Sequence, residues 1–297
     1  MYESYYNLVC SPFSNTPDSR FFFETDQHNE ALAKLEYTAR NRRGFALITG
    51  DIGSGKTTLS RTLIRRLGSD ARVAVVNNTR VSSHQLLKLI AIEFGITLPA
   101  VCDKSTLLTL IRQFVEHEHS LGRVIVVIID EGQCLTLDEF EEIRLLTNLE
   151  TDTDKLVQLL ILGQPELRET LKHARMAPLI QRIVMYMHLR PMSFDNTTRY
   201  IAFRLVRAAR DKPNVDFSRE ALRVIFERSQ GVPRLINLIC DNSLLVGYSR
   251  DTRLIDSQVV VSAVSQMLPN FQVEPADILP NTRPAEAGQE IENGRRL

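Results

Sequence analysis

The segment GDIGSGKT, residues 50–57, constrains the fold more than any other part of the sequence. It fits the pattern GxxxxGK[ST] without a mismatch; an apolar run typical of a strand precedes it and a helical pattern follows it. This order of strand, glycine-rich loop and helix begins a βα unit, with the loop at the carboxyl end of a parallel strand. The segment therefore predicts an α/β fold with a loop that binds phosphate.

Strand-like and helix-like patterns alternate on both sides of this loop. Short apolar runs are separated by segments of helical periodicity, which is typical of a parallel sheet covered on both faces by helices. The predicted strands lie at 45–49, 72–76, 124–129, 156–162 and 184–189. We therefore expect a P-loop α/β core with a five-stranded parallel sheet.

The composition changes at both ends of this core. After Pro191 the sequence shows only helical periodicity, which predicts a smaller all-helical domain. The first residues are rich in aromatics, proline and serine, and we expect an irregular arm that packs on the body, with its tyrosines as candidates to lie near a bound base. The last segment has a composition typical of disorder. The predicted divisions are an arm at 1–25, the α/β domain at 26–191, the helical domain at 192–268 and a disordered tail at 269–297.

Charge and cysteine content narrow the class of protein. The chain has 36 basic and 36 acidic residues and a formal net charge of +0, which argues against a tail-driven nucleic-acid binder. Its four cysteines are scattered without metal-binding spacing, as in proteins of a reducing compartment. No signal-peptide pattern and no long apolar run are found, so we expect a cytoplasmic protein that reaches a membrane only through a partner.

The glycine-rich loop predicts a nucleotide site. Glycine lets the backbone curl so that its N–H groups and the N-terminus of the following helix surround phosphate oxygens. Lys56 adds a full positive charge for the β- and γ-phosphates, and the hydroxyl of Thr57 is placed to bind Mg²⁺. An NKxD-type motif that reads guanine is absent from the sequence, so we expect ATP. The expected binding residues are Gly50, Asp51, Ile52, Gly53, Ser54, Gly55, Lys56, Thr57 and Thr58.

A pair of acids follows the most aliphatic run of the chain. In VIVVIIDEGQ, residues 124–133, a buried strand ends at Asp130 and Glu131. An acid at the carboxyl end of a strand close to the phosphate loop meets the metal, which is the role we expect for Asp130 together with Thr57. Glu131 is placed to polarise a water for in-line attack on the γ-phosphate. The pair therefore predicts hydrolysis of ATP as well as binding.

Polar residues elsewhere are candidates to sense the γ-phosphate. Gln164 ends the fourth predicted strand, and Asn148 is a weaker alternative. Arg182, or alternatively Arg175, lies before the fifth strand, from which it could reach the nucleotide of a neighbouring subunit. Arg234 opens a helix of the second domain and could close that domain over the phosphates.

Several sequence blocks occur together in an order seen in a known family. They are PFSNTPDSRFFF with the His28-x-x-Ala31-Leu32 helix, the phosphate loop, DEGQ, NLETDTDKLVQLLILGQPEL, QRI and GVPRLIN. Over residues 1–268 they resemble the AAA+ ATPases of the ExeA/general secretion pathway protein A group. The resemblance implies a helical lid, ATP with Mg²⁺, and homo-oligomers with nucleotide at the subunit interfaces. It places Walker A at Lys56 and Thr57, Walker B at Asp130 and Glu131, sensor 1 at Gln164, sensor 2 at Arg234 and the arginine finger near Arg182.

The sequence leaves three alternatives for the biological role. Longer members of the group continue into a membrane span and a peptidoglycan-binding domain, and we expect this chain to be a short form that serves a secretion, pilus or exopolysaccharide complex of the envelope. One alternative is an ATP-dependent DNA-binding regulator of the transposition-helper type, and another is a small-molecule kinase. Four arginines near the first lid helix form a possible nucleic-acid stripe, although the acids beside them favour an ordinary solvated face. They are Arg199, Arg204, Arg207 and Arg210.

Overall fold

A computed structural model of the chain describes residues 1–16, 18–77, 79 and 81–267, with the backbone alone at Ser19. The predicted disordered tail at 269–297 lies outside the described residues. Among the helices that are described, none has both the length and the apolar content that crossing a bilayer requires.

The centre of the molecule is a five-stranded sheet in which every paired strand is parallel, as predicted. The strand order is β2-β3-β4-β1-β5. The strands β1, β3 and β4 are buried along their whole length, which explains their nearly continuous apolar sequences. The strands are β1 (Phe45–Gly50), β2 (Ala71–Val76), β3 (Val124–Ile129), β4 (Val157–Gly163) and β5 (Ile183–Leu189).

Helices cover both faces of the sheet and form a separate bundle after it. The first face carries α2 and α3, the second face carries α4 to α8, and the bundle contains α9 to α12. The helices are α1 (Tyr2–Tyr5), α2 (Asp26–Arg40), α3 (Lys56–Leu67), α4 (Ser83–Glu93), α5 (Lys104–Ser120), α6 (Leu137–Leu146), α7 (Leu167–Leu171), α8 (Ala177–Ile180), α9 (Phe194–Ala208), α10 (Arg219–Ser229), α11 (Pro233–Ser249) and α12 (Ser257–Ser265).

Successive residues of one strand serve opposite faces of the sheet. Leu47 of β1 packs in the core under the second helix layer, whereas Ile48 packs in the core under α2 and α3. This alternation follows from the two-residue period of a strand. Because β1 lies between β4 and β5, its carboxyl end opens beside the end of β4 and close to the end of β3. The loop and the two acids are thereby brought to one edge of the sheet.

The C-terminal bundle differs from the all-helical prediction in one detail. A two-residue strand β6 (Asp216–Phe217) pairs in parallel with β7 (Leu254–Ile255). The pairing ties the start of α10 to the turn between α11 and α12. Such short segments carry too few residues for a period of two to be visible in the sequence.

The N-terminal arm packs on this bundle through its aromatic side chains. Tyr6 is fully buried, and its hydroxyl donates to the carbonyl oxygen of Leu244 at 3.1 Å. The Tyr2 hydroxyl donates to Asp241 Oδ1 at 2.5 Å, and Phe13 joins the same core. The arm also contains the helical turn α1, where an irregular segment was expected. The arm and the bundle therefore share one hydrophobic core.

The expectation that Arg204 belongs to a solvated basic face is wrong. Its side chain is buried, and its guanidinium donates to the carbonyl oxygens of Pro12 at 2.5 Å and Ser14 at 3.0 Å. The same group lies over the Phe21 ring, 4.9 Å from the centroid. Arg204 therefore holds the arm against α9, and the basic stripe loses this member.

Candidate nucleotide-binding site

The glycine-rich loop curls between β1 and α3 at the rim of a cavity of about 560 Å³. Gly53 and Gly55 have φ angles of 80° and 97°, in the left-handed region that favours glycine. A Cβ at Gly53 would lie 2.5 Å from the Cβ of Arg234, so the second domain approaches the loop at this point. Seven of the nine predicted loop residues, 52–58, line the cavity, and Gly50 and Asp51 are not among its described lining residues.

Lys56 lies in the first turn of α3 with its ammonium folded against the loop. Its Nζ donates to the carbonyl oxygens of Gly50 at 2.6 Å and Asp51 at 2.9 Å. Burial lowers the pKa of Lys56, while the charges of Glu131 and Asp130 oppose that shift. The ammonium thus lies within electrostatic reach of both acids that follow β3.

Thr57 at the start of α3 and Asp130 after β3 are in direct contact, although β4 lies between β3 and the strand β1 that leads into α3. The Thr57 hydroxyl donates to Asp130 Oδ2 at 2.6 Å, and the other carboxylate oxygen of Asp130 accepts from the backbone N–H of Glu131 at 3.0 Å. Asp130 is buried, with 6% of its surface exposed. A hydroxyl and a carboxylate so arranged are oxygen ligands of the kind that Mg²⁺ prefers.

Glu131 extends from the end of β3 toward the same cavity. Its backbone has φ 58° and ψ 39°, a left-handed conformation that is unfavourable for a residue with a side chain. Two amides, those of Gln133 and Gln164, donate to its Oε2 at 2.5 Å and 3.3 Å. The Gln133 side chain also accepts from the Gln164 backbone N–H at 3.0 Å. Glu131 is therefore held in one orientation by residues at the ends of β3 and β4.

Gln133 was not predicted as a site residue. It follows Glu131 by two positions, on a short 3-10 turn that begins at Gly132. Its role depends on the neighbouring end of β4, which cannot be read from the local sequence. The block DEGQ was the signal that could have identified it.

Arg234 enters the site from the second domain through a tight turn. Pro233 occupies the first position of α11, and Gly231 before it has a φ of 73°. The Gly231 carbonyl oxygen accepts from the backbone N–H of Met192 at 2.9 Å, which fixes the turn against the connection between the domains. Arg234 consequently lines the cavity beside Gly53 of the loop.

The two candidate arginine fingers lie away from this cavity. Arg182 Nη1 donates to Thr147 Oγ1 at 2.9 Å and to Asn148 Oδ1 at 2.5 Å, beyond the end of α6. Arg175 pairs with Asp138 at 2.8 Å and is exposed. Neither arginine, nor Asn148, is among the described residues that line the cavity.

The arm contributes a wall of the cavity that was not predicted. The arm tyrosines are not among the described lining residues. The aromatic side chains that the arm contributes to the cavity wall are phenylalanines. Asn237 belongs to the C-terminal bundle of α9 to α12, which we call the lid. Its Nδ2 donates to Asn15 Oδ1 at 3.1 Å and holds Asn15 in place. The unpredicted lining residues include Ser14, Asn15, Thr16, Phe21, Phe22, Phe23, His28, Met192, Tyr200 and Asn237.

The described residues fit a nucleotide with its metal ion. The buried His28 Nε2 and Ser54 Oγ have no hydrogen-bond partner within the described part of the chain, and both lie at the loop. The described residues form no group of three or more His, Cys, Asp or Glu able to hold a metal by themselves. A magnesium ion bound by Thr57 and Asp130 would therefore need phosphate oxygens and water as its remaining ligands.

Comparisons with known proteins show what the chain is similar to. Residues 39–171 match the AAA domain family. The chain is 38% identical over 255 residues to General secretion pathway protein A of Aeromonas hydrophila; the match covers 86% of this chain and 46% of that protein. The chain thus spans about half the length of this curated relative.

Solved structures show the same fold at lower identity. Cdc6p from Pyrobaculum aerophilum has a TM-score of 0.68 at 19% identity, over 88% of this chain and 72% of that chain. The ORC2 protein of Aeropyrum pernix, in its ADPNP–ADP complexes, has a TM-score of 0.65 at 16% identity, over 86% of this chain and 71% of that chain. Together with the match to the AAA domain family, these similarities establish a P-loop AAA fold.

Proposed function

The chain is a P-loop AAA protein and a homologue of general secretion pathway protein A, and from this premise we propose that it is a Mg²⁺-dependent ATPase. The observation that supports this most directly is the contact of Thr57 Oγ1 with Asp130 at 2.6 Å, within electrostatic reach of the Lys56 ammonium. The phosphate-binding loop, a carboxylate suited to a metal ion and a buried ammonium thus lie together at one edge of the sheet.

Each residue then has a chemical role. The loop N–H groups and Lys56 bind the phosphates, and Thr57 and Asp130 hold the metal ion, which would neutralise charge on the phosphates when bound. Glu131 orients a water for in-line attack and accepts its proton. Gln164, which donates to Glu131, and Arg234, which faces the loop, respond to the γ-phosphate.

We extend the proposal to a homo-oligomer with nucleotide at the subunit interfaces. The support is the position of Arg182, which lies outside the cavity of its own chain and borders the edge strand β5. An arginine supplied by a neighbour would stabilise the charge that develops during phosphoryl transfer. Arg175, which is exposed, is the alternative donor.

The cellular role that we propose is assembly or remodelling of an envelope complex of the secretion, pilus or exopolysaccharide type, by a protein located in the cytoplasm. The support is the name and identity of the Aeromonas relative, of which this chain covers 46%. The DNA-binding alternative is weakened by the burial of Arg204, which removes one member of the basic stripe.

The ATPase proposal is tested with two variants. Lys56→Ala should weaken ATP and ADP binding by about 10- to 100-fold, because charge-assisted hydrogen bonds to phosphate are lost. Glu131→Gln should keep nucleotide affinity and lower turnover by about 10²- to 10⁴-fold, because the base for the attacking water is lost. Isothermal titration calorimetry measures binding, and phosphate release measures turnover.

Matched controls are available on the surface. Lys34, paired with Glu30 on α2, and Glu169, paired with Lys172, are exposed. Lys34→Ala and Glu169→Gln should therefore leave binding and turnover unchanged. Parent-like turnover in Glu131→Gln would refute the proposed base, and parent-like affinity in Lys56→Ala would refute the site. Sedimentation of Glu131→Gln with ATP tests the oligomer, and ATP-dependent binding to duplex DNA would instead support the alternative.

A further inference from the structure

His28 is a buried imidazole that the roles above do not use. It lies in the first turn of α2, with 4% of its surface exposed, and its ring meets the Phe22 ring edge-on at a centroid distance of 5.5 Å. It is also part of the cavity wall. A buried polar ring in this position needs a partner for each of its nitrogen atoms.

The contacts of Thr25 allow a tautomer in which the ring proton lies on Nε2. Thr25 caps α2, and its Oγ1 accepts from the His28 backbone N–H at 3.3 Å. The same hydroxyl lies 2.7 Å from His28 Nδ1. The hydroxyl oxygen has two lone pairs, so it can accept from the backbone N–H and either donate to Nδ1 or accept from it. In the arrangement in which it donates, the ring proton lies on Nε2. Burial lowers the pKa of His28, which favours the neutral ring, and the Ser54 backbone opposes that shift.

The remaining nitrogen faces the phosphate loop. Nε2 is buried and makes no hydrogen bond of ordinary distance and angle with the described residues, although the Ser54 backbone lies close enough to favour a protonated ring. It lies 3.3 Å from the position that a Cβ at Gly55 would take, beside the start of α3. The N-terminus of a helix and the loop N–H groups concentrate positive potential here, so the acceptor that this region attracts is an anionic oxygen.

We propose that His28 Nε2–H donates a hydrogen bond to a phosphate oxygen of the bound nucleotide. This inference rests on the proposed nucleotide site and adds a contact from outside the phosphate loop. His28 belongs to α2 and touches Phe22 of the arm, so the contact joins the phosphates to the arm. ADP and ATP share the phosphates nearest the loop, and the contact strengthens the binding of both.

The first test observes the ring directly in the full chain. With ¹⁵N-labelled histidine, the NMR signals of His28 should show a proton on Nε2 and none on Nδ1. Addition of ADP should shift the Nε2–H signal, and pyrophosphate should shift it in the same direction, whereas adenosine should not. A shift with adenosine but not with pyrophosphate would overturn the assignment of a phosphate acceptor.

The second test measures affinity with variants that preserve the shape of the site. His28→Phe keeps a ring against Phe22 but removes the donor, and should weaken ADP binding by about 10- to 100-fold. His28→Gln places an amide near the Nε2 position and should recover most of this loss. His117→Phe, at an exposed position on α5, is the matched control and should bind ADP like the parent. Thermal unfolding shows whether each variant is folded.

The outcomes separate this inference from the proposed function. A parent protein that binds neither ADP nor ATP would refute the nucleotide site itself. A parent that binds ADP tightly, with His28→Phe binding within twofold of it, would refute only the contact of His28. Weaker binding in His28→Phe without any ADP-dependent shift of Nε2–H in the parent would also refute the contact, because the loss would then arise from packing.

Discussion

Replacement of Gly231 by alanine should displace Arg234 from the phosphate loop. Gly231 has a φ of 73°, and a Cβ at this position would lie 2.0 Å from the carbonyl oxygen of Met192. Side-chain carbons do not approach other atoms closer than 3.0 Å, so the two segments must separate by at least 1.0 Å (3.0 minus 2.0). Both are backbone, and a hydrogen bond of 2.9 Å already joins them.

The expected loss of stability has two parts. A left-handed conformation costs alanine about 1–2 kcal/mol. Overpacking of a buried contact adds about 1–3 kcal/mol, giving a decrease of about 2–5 kcal/mol in the free energy of unfolding. Gly122 has a φ of 77° and no atom within 4 Å of the position that a Cβ would take, so Gly122→Ala should cost only the first part.

The comparison of these two variants isolates the clash. Urea unfolding at 25 °C, followed by circular dichroism, gives the free energy of unfolding of each, and calorimetry gives its affinity for ADP. Gly231→Ala should lose more stability than Gly122→Ala by about 1–3 kcal/mol and should bind ADP more weakly. Gly122 is not among the residues that line the cavity, so Gly122→Ala should bind ADP like the parent.

Equal stability losses in the two variants would refute this reasoning, because the conformational cost is common to both. Parent-like ADP affinity in a destabilised Gly231→Ala would show that the turn supports the fold without positioning Arg234. Each measurement therefore tests a different step.

Three further predictions follow from individual side chains. Arg204→Met should lower the free energy of unfolding by about 2–4 kcal/mol, because two carbonyl oxygens of the arm lose a buried donor, and limited proteolysis should show earlier cleavage of the arm. Arg182→Ala should leave ADP affinity unchanged and lower turnover by about 10³-fold or more, and mixing it with Lys56→Ala should restore activity if the arginine acts across an interface; no recovery would favour Arg175 or a structural role. Because the folded-state pKa of His28 lies below its ordinary value, the unfolded chain binds a proton first as the pH falls, and stability is lost below about pH 6.5. Urea unfolding at pH 7.5 and 5.5 should show a larger decrease in the parent than in His28→Gln, and equal decreases would contradict this prediction.

The parts of the site that the sequence predicts are those defined by local patterns. The loop and the acids each follow a buried apolar strand, and parallel strands bring their carboxyl ends to one edge. Gln164 could be placed for the same reason, since it directly follows β4. The contacts of Gln164 with Gln133 and Glu131 could not be predicted in the same way. They depend on β4 lying next to β3, and the order of the strands cannot be read from the local sequence.

Residues of the arm and lid were harder to place because their partners are distant in the sequence. The position of His28 beside Gly55 depends on how α2 packs against α3, and a single histidine carries no spacing signal. Arg204 is a different case, because the helical spacing of its neighbours already predicts that it is buried. It lies four residues after Tyr200 and three after Ile201, on the buried face of α9.

The packing of the arm determines how the cavity can change shape. The arm and the lid share one core and are joined by Arg204, so they resist separation. The loop contacts the lid through Gly53 at Arg234, and it contacts α2, which packs on the sheet, through Gly55 at His28. A change in the phosphates held by the loop therefore acts on α2 and on the lid together.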